Sequence, residues 1–170
     1  MKRIFVLLMV AVAVIAVFSC KDNNSLEKQR KNELDLLNAF INEYYPDSVP
    51  KPSGLYYIEE KKGTGDSIVP GDKVQIFYAT WTVDSVLIDE TNGYTAGYRF
   101  EPYEFTVGAG AAVAGLEEAA TYMQLGTVAH LVIPSELAYG QNGTLGVPGF
   151  TTLLMKVEVY KIYRANSTSQ

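Results

Sequence analysis

One tyrosine stands out as a group that could act on a ligand: Tyr139, in the segment Leu137-Ala138-Tyr139-Gly140. It follows a short β-rich run, 128–133, which ends at Pro134, and it precedes the Gly-rich segment 141–149. A phenol both donates and accepts hydrogen bonds and stays neutral near pH 7. A tyrosine at the mouth of such a loop can point into a cleft, so we expect a functional cleft here.

The other residue types exclude most alternative chemistry. The single cysteine, Cys20, allows no intrachain disulfide and no thiolate metal site. The single histidine, His130, lies in an apolar strand and is expected to be structural, which leaves no histidine relay or His-rich metal site. Glu117 and Glu118 are adjacent at a helix start, so they are not spaced for paired acid–base work. We therefore expect no metal and no cofactor.

The charge balance argues against nucleic acid as a partner. The chain of 170 residues carries a net charge of −5, with 14 Lys and Arg against 19 Asp and Glu. Binding of nucleic acid needs a basic surface, and no dense cluster of Lys and Arg provides one locally. The length favours one domain with a small addition.

The first twenty residues have the pattern of an export signal. Lys2 and Arg3 precede an apolar run, 4–18, of about 15 residues, which is short for a membrane-spanning helix of about 20. The run ends at Ser19-Cys20, which resembles a bacterial lipoprotein cleavage site. The resemblance implies a signal peptide at 1–19 and a lipidated Cys20 on a bacterial membrane, with the outer membrane favoured, facing the periplasm or the outside. A plain signal peptide or an uncleaved anchor is the alternative.

An amphipathic helix is predicted over 26–45, and with the polar tether before it this forms the segment 20–53. The helical stretch contains no Gly or Pro, and three prolines between 46 and 52 then mark a linker. A helix packed on its own domain, or a stalk, is favoured over one that dimerises or binds a partner. Its apolar residues recur at three- and four-residue spacing as one stripe: Leu34, Leu37, Ile41 and Tyr44.

From Gly54 onwards the pattern is that of short strands around a single helix. The predicted helix, 116–123, is ended by Leu125-Gly126, and a polar tail follows at 164–170. Such a pattern predicts an α+β domain with an antiparallel sheet. Trp81 is expected to pack on the sheet. Predicted strands cover 55–60, 73–83, 86–89, 103–107, 128–133 and 152–163.

Short motifs through this domain follow the order and spacing of one known family. They are Gly54-Leu55-Tyr56-Tyr57, Pro70-Gly71-Asp72, Tyr78, Ile88-Asp89, Phe105-Thr106-Val107-Gly108, Gly115-Leu116-Glu117-Glu118, Ile133-Pro134, Leu137-Ala138-Tyr139-Gly140 and Val147-Pro148. The series covers 54–163 and resembles the FKBP-type peptidyl-prolyl cis–trans isomerases. The resemblance implies a twisted antiparallel β-sheet wrapped over one short α-helix, with the cleft between that helix and the loops.

The resemblance also implies which residues form the site. Tyr139 would donate its hydroxyl to a peptide carbonyl, and Asp89 would accept a hydrogen bond or orient Tyr78, so these three are the implied catalytic group. Backbone amides at Val147 and near Val113 are implied as further donors. The implied substrate-binding residues are Ile88, Tyr103, Phe105, Ala112, Val113, Leu116, Val147 and Met155.

Three of these positions depart from the family. Leu116 stands where the floor is often Trp, Ile88 where a wall is usually Phe, and Met155 where another aromatic is usual, so a roomier and less aromatic pocket is expected. The predicted function is a prolyl isomerase of the cell envelope that acts on proline-containing polypeptides, with macrolide inhibitors as candidate ligands. The alternatives are a catalytically weak peptide-binding module or chaperone on the same fold, and a structural lipoprotein whose helix 26–45 docks a partner.

Overall fold

Two helices and six strands make up residues 25–165, which are the residues described by this computed structural model. The expected signal peptide, Cys20 and the end of the polar tail lie outside them. A 3-10 turn, Ser135–Leu137, follows the fifth strand. The elements are α1 25–44, β1 Tyr56–Lys61, β2 Lys73–Thr82, β3 Leu87–Glu90, β4 Tyr103–Thr106, α2 Ala114–Ala120, β5 Val128–Ile133 and β6 Leu153–Tyr163.

The strands form one sheet in the order β1-β5-β6-β2-β3, and every pairing in it is antiparallel. On the edge of β2 opposite β6, β4 pairs with the first half of the strand and β3 with the second half. The predicted α+β fold with an antiparallel sheet is confirmed. This arrangement brings β2, β3 and β4 together at one end of the sheet, beside the start of α2.

The inner face of the sheet carries the main core, which α2 covers. Side chains alternate along β5 and β6, so that Leu131 and Met155 point to the core while Val132 points to the opposite face. Gly115 lets α2 approach the sheet closely, because a Cβ there would lie 2.4 Å from Cγ2 of Ile133. A larger residue at position 115 would therefore push the helix away from β5.

The bounds of α2 differ from the prediction, which placed the helix at 116–123. The helix begins two residues earlier because Val113, in extended conformation, accepts the amides of Leu116 and Glu117. It ends at Ala120, and the next three residues continue as a tighter turn with hydrogen bonds between residues three apart. Gly126, with φ of 81°, then turns the chain into β5 rather than ending the helix itself.

The outer face of the sheet is covered by α1. Leu37 and Ile41 are buried against Val132, with Tyr56 and Leu154 packed around them. The helix therefore packs on its own domain, which is the arrangement that the sequence favoured.

The expected stripe on α1 is only half correct. Leu34 and Tyr44 are exposed, at 37% and 59%, whereas Glu33 is buried at 3%. The buried line therefore runs through 33, 37 and 41, with a spacing of four residues. A pattern based on apolar residues misses this line because its first member is a carboxylate.

Two further contacts within the described residues support the domain. Trp81 packs beside Phe77 and Tyr94 on the outer face, as expected. Arg164, at the start of the predicted polar tail, forms an ion pair of 2.6 Å with buried Asp72, so this part of the tail is bound to the domain. Within 25–165, neither helix has the length and apolar character needed to cross a membrane.

Candidate active site

A cavity of about 510 Å³ lies between the sheet and the start of α2. Residues of β2, β3, β4 and β6 form its walls, and the segment after the 3-10 turn closes one side. Most of the surface is apolar, and phenol, hydroxyl and carboxylate groups are placed around it. The lining residues are Tyr78, Thr80, Ile88, Asp89, Tyr103, Ala111, Ala112, Val113, Ala114, Leu116, Ala138, Tyr139, Leu153 and Met155.

Tyr78 and Asp89 lie on paired strands and bind each other across them. The Tyr78 hydroxyl donates a hydrogen bond of 2.5 Å to Oδ2 of Asp89. Burial, and then this hydrogen bond to a carboxylate, raise the pKa of Tyr78 well above the usual value for tyrosine. Tyr78 therefore stays protonated and donates, and the pair forms a fixed polar corner of the cavity.

Tyr103 is held by two neighbours. Its ring meets that of Tyr78 edge to face at 5.8 Å, and its hydroxyl donates to the Ala111 carbonyl at 3.1 Å. Burial and the nearby Glu117 carboxylate raise the pKa of Tyr103. Like Tyr78, it presents a neutral ring to the cavity.

Tyr139 follows the 3-10 turn and is 40% exposed. Its backbone is held on both sides, because the amides of Ala138 and Gly140 both donate to the Ser135 carbonyl, at 2.9 and 2.7 Å. Its hydroxyl makes no hydrogen bond to another residue in the part of the chain that the structure describes. Of the three phenols at the cavity, this is the one whose hydroxyl is available to a ligand.

The floor of the cavity is aliphatic. Leu116, on the first turn of α2, is 3% exposed, and Met155, on β6, is 5% exposed. Neither brings a hydrogen-bonding group, so a bound ligand would lose water there without gaining a polar partner. Such a floor suits an apolar ring.

The start of α2 adds a backbone donor. The Glu117 carboxylate accepts the amides of Gly108 and Ala112, at 2.7 and 3.1 Å, and so fixes the loop that leads into the helix. The Val113 amide has no acceptor among residues 25–165, and Val113 lines the cavity. Its N–H therefore has no partner within these residues, and its role as a donor to a ligand stays a prediction.

Two of the eleven implied site residues do not line the cavity. Phe105 is 3% exposed and stacks on Tyr103 at 5.5 Å, so it supports that ring from the core. Val147 is also buried in the core, and its amide is occupied, since it donates to the Thr144 carbonyl at 3.0 Å. The Val147 backbone would have to give up this bond to donate to a ligand, so its expected role as a donor stays a prediction.

Five lining residues were not expected from the sequence: Thr80, Ala111, Ala114, Ala138 and Leu153. Alternation along strands could have found two of them. Thr80 lies two residues after Tyr78 and Leu153 lies two before Met155, so each shares a face with an implied site residue. The other three are alanines, and each is next in the chain to an expected site residue that also lines the cavity.

The donor set does not favour a metal. Among residues 25–165, no group of three or more His, Cys, Asp or Glu side chains is arranged to hold a metal ion. The fold and the cavity together define an α+β domain with a largely apolar cavity, around which phenol, hydroxyl and carboxylate groups are placed.

Comparisons with known proteins agree with this class. A family model described as FKBP-type peptidyl-prolyl cis-trans isomerase matches residues 65–160. The FK506-binding protein of Neisseria meningitidis serogroup B is 32% identical over 111 residues, which cover 65% of this chain and 97% of that protein. The isomerase FkpA of Buchnera aphidicola is 32% identical over 110 residues, which cover 65% of this chain but only 41% of that protein.

The solved structures agree as well. The crystal structure of FkpA from Escherichia coli superposes with a TM-score of 0.70 at 27% identity, over 84% of this chain and 65% of that one. The chain belongs to the family of FKBP-type peptidyl-prolyl cis–trans isomerases. The family membership expected from the sequence, and with it an isomerase as the class of enzyme, is confirmed.

Proposed function

We propose that this chain accelerates cis–trans rotation about X–Pro bonds by holding the twisted amide in the cavity beneath Tyr139. The observation that carries the proposal is an apolar cavity whose hydrogen-bonding groups are held neutral or fixed in position. Rotation about an X–Pro bond has a barrier of about 18–20 kcal/mol and involves no proton transfer to the enzyme. A site without an acid–base relay is therefore suited to it.

The site residues act by binding the twisted form better than the planar form. When the amide twists, its carbonyl becomes less polar and tolerates a poorly hydrated floor, here Leu116 and Met155. The Tyr139 hydroxyl and the Val113 amide hold the flanking peptide carbonyls. Asp89 fixes Tyr78 as a wall of the pocket, with Ile88 and Tyr103 beside it.

A peptide isomerisation assay on the full-length chain in mild detergent tests this proposal. A proline peptide with an apolar residue before the proline should reach equilibrium faster with micromolar protein than without it. A chain carrying Tyr78→Ala and Tyr139→Ala should lose most of that acceleration. Equal rates with and without the wild-type protein would refute the proposal.

A peptide-binding module with little catalysis is the second candidate. The observation that favours it is the aliphatic floor, since Leu116 and Met155 offer no ring face to a proline. Tyr139→Phe and Asp89→Ala, each measured for isomerase rate and for peptide affinity, separate the two. Loss of rate with retained affinity supports an enzyme, whereas a wild-type protein that binds the peptide without accelerating its isomerisation supports a binding module.

The ligands proposed for the cavity are proline-containing polypeptides and, as competitors, macrolides of the FK506 type. The name of the Neisseria relative, FK506-binding protein, supports the second class. FK506 added to the isomerisation assay should slow the catalysed reaction in proportion to its occupancy. Because Ile88 and Leu116 replace larger aromatic groups, we expect weak inhibition that requires micromolar concentrations.

The proposed location is the cell envelope, with the isomerase domain, 54–163, facing extracytoplasmic proteins and residues 164–170 as its polar tail. The support is the sequence around Ser19-Cys20, with residues 1–19 as the signal peptide. The mature wild-type protein should be heavier than residues 20–170 alone by the mass of its acyl chains, and Cys20→Ser should carry no acyl chain. An unchanged mass in the wild-type protein would contradict lipidation.

A further inference from the structure

A buried carboxylate joins α1 to residues 134–141, which are called the Tyr139 segment below. Glu33, on α1, is 3% exposed and lies against residues more than a hundred positions away in the sequence. Its Oε1 accepts the Ser135 amide at 2.6 Å and the Thr152 hydroxyl at 3.0 Å. Its Oε2 accepts the Ser135 hydroxyl at 2.7 Å and Nη1 of Arg30 at 2.6 Å. Each carboxylate oxygen thus has two donors.

Ser135 passes this constraint to Tyr139. While its amide and hydroxyl bind Glu33, its carbonyl accepts the amides of Ala138 and Gly140, which flank Tyr139. Any displacement of Ser135 therefore moves both backbone supports of Tyr139. The hydroxyl available to a ligand depends in this way on a residue of α1 that lies outside the cavity.

Thr152 links Glu33 to the other end of the same loop. The loop leaves at Gly140 and returns at Phe150, where the Phe150 amide donates to the Gly140 carbonyl at 3.0 Å. Thr152 follows two residues later and precedes Leu153, which lines the cavity. Glu33 thus binds the chain on both sides of the loop at its base.

The first half of α1 also runs along this loop. Leu26, Arg30 and Leu34 line a shallow groove together with Gln141 and Phe150. Arg30 adds an ion pair of 2.6 Å from Nη2 to Glu136, inside the 3-10 turn. The helix therefore contacts the Tyr139 segment through both apolar and charged groups.

We propose that Glu33 is a positioning residue for Tyr139, and that α1 is thereby a functional part of the site rather than only a cover for the sheet. The catalytic consequence rests on the proposed isomerase function, whereas the positioning itself does not. Hydrogen bonds to a carboxylate are about twice as strong as neutral ones, so a neutral amide at position 33 should loosen the segment without removing the helix.

The test compares Glu33→Gln with Glu43→Gln in the full-length chain. Glu43 lies on the same helix and is exposed, so it controls for the loss of one carboxylate from α1. Hydrogen exchange of peptides covering 134–141 should be about tenfold faster in Glu33→Gln and unchanged in the control. Ser135→Ala, which keeps the amide, gives a smaller change and serves as a second variant if Glu33→Gln unfolds.

The kinetic readout is a double-mutant cycle with Tyr139→Phe. Glu33→Gln should lower kcat/KM by about two- to fivefold when Tyr139 is present, and by no more than Tyr139→Phe does. The loss should nearly vanish in the Tyr139→Phe background, because the hydroxyl that Glu33 positions is then absent. A merely structural effect would give equal losses in both backgrounds.

The two proposals fail separately. If the wild-type protein does not accelerate isomerisation, the proposed function falls, and the exchange rates alone decide the positioning role. Unchanged exchange at 134–141 in Glu33→Gln would overturn that role. So would equal losses of kcat/KM with and without the Tyr139 hydroxyl in an active wild-type background.

Discussion

The three phenols at the cavity have different partners, and this difference assigns them different tasks. Tyr78 donates to Asp89 and Tyr103 donates to the Ala111 carbonyl, so both hydroxyls are already used. The Tyr139 hydroxyl has no partner among residues 25–165. A ligand carbonyl can therefore bind Tyr139 without breaking a bond inside the protein.

Tyr139→Phe should lower kcat/KM by about two- to tenfold, because one neutral hydrogen bond contributes about 0.5–1.5 kcal/mol. The thermal unfolding temperature should not change, since no internal bond is lost. Tyr160→Phe is the matched control, because Tyr160 is exposed at 55% on β6 and does not line the cavity. Equal activity in Tyr139→Phe and the wild-type protein would exclude Tyr139 as a donor to substrate.

The pH profile of kcat/KM should be flat between pH 6 and 9. Burial, followed by nearby carboxylates, raises the pKa of both Tyr78 and Tyr103, so both phenols are neutral over this range. A raised pKa also means that their contribution to stability is complete below the usual tyrosine value of about 10, and is lost as the pH rises through the folded value. A rise or fall of kcat/KM near pH 7, measured in a series of buffers, would indicate a catalytic acid or base, which this mechanism does not include.

At the scale of elements, the family resemblance implied most of the residues that line the cavity, and strand alternation explains why those on β2 and β6 face it. Tyr78 and Met155 face the same side of the sheet because β2 and β6 alternate and are paired, with Thr80 opposite Met155. Alternation cannot show how a loop without regular structure uses its backbone. The Val147 amide donates to the Thr144 carbonyl, and no local sequence pattern indicates this bond.

The packing of α1 on the sheet should contribute measurably to the free energy of unfolding. Leu37 is 3% exposed beneath the helix, whereas its neighbour Leu36 is 54% exposed. Leu37→Ala should lower the free energy of unfolding by about 2–5 kcal/mol, the usual range for a buried leucine. Leu36→Ala removes the same atoms from the same helix and should cost less than about 1 kcal/mol. Equal effects in denaturant unfolding would mean that α1 does not pack as described.

On the scale of the whole molecule, a buried carboxylate connects the two faces of one sheet. The inner face and α2 form the cavity, and the outer face is covered by α1. Glu33 crosses between them by binding Ser135 and Thr152, which lie 102 and 119 positions away. Local periodicity in the sequence predicted an amphipathic α1 and alternating strands, but a partner so distant leaves no local signal, and a glutamate on a helix is ordinarily solvent-exposed.

This connection predicts sensitivity to acid. Burial alone would raise the pKa of Glu33, but hydrogen bonds from Ser135, Arg30 and Thr152 outweigh it and hold the pKa below its usual range. A lowered pKa means that the stabilisation is complete above the usual glutamate value of about 4.3, and is lost as the pH falls through the lower folded value. The charged groups around Glu33 are Arg30 and, beyond it, Glu136 of the 3-10 turn.

Other carboxylates with lowered pKa, such as Asp72 and Glu60, also make the protein sensitive to acid, so the difference between two proteins is the informative quantity. At pH 7, the free energy of unfolding of Glu33→Gln should be about 2 kcal/mol lower than that of the wild-type protein. Because glutamine does not titrate, this gap should shrink as the pH falls below the usual glutamate value, where the unfolded wild-type chain takes up a proton that native Glu33 resists. Denaturant unfolding at pH 7, 5 and 3.5 measures the gap. A constant difference at all three pH values would show that the negative charge of Glu33 does not stabilise the contact between α1 and the Tyr139 segment.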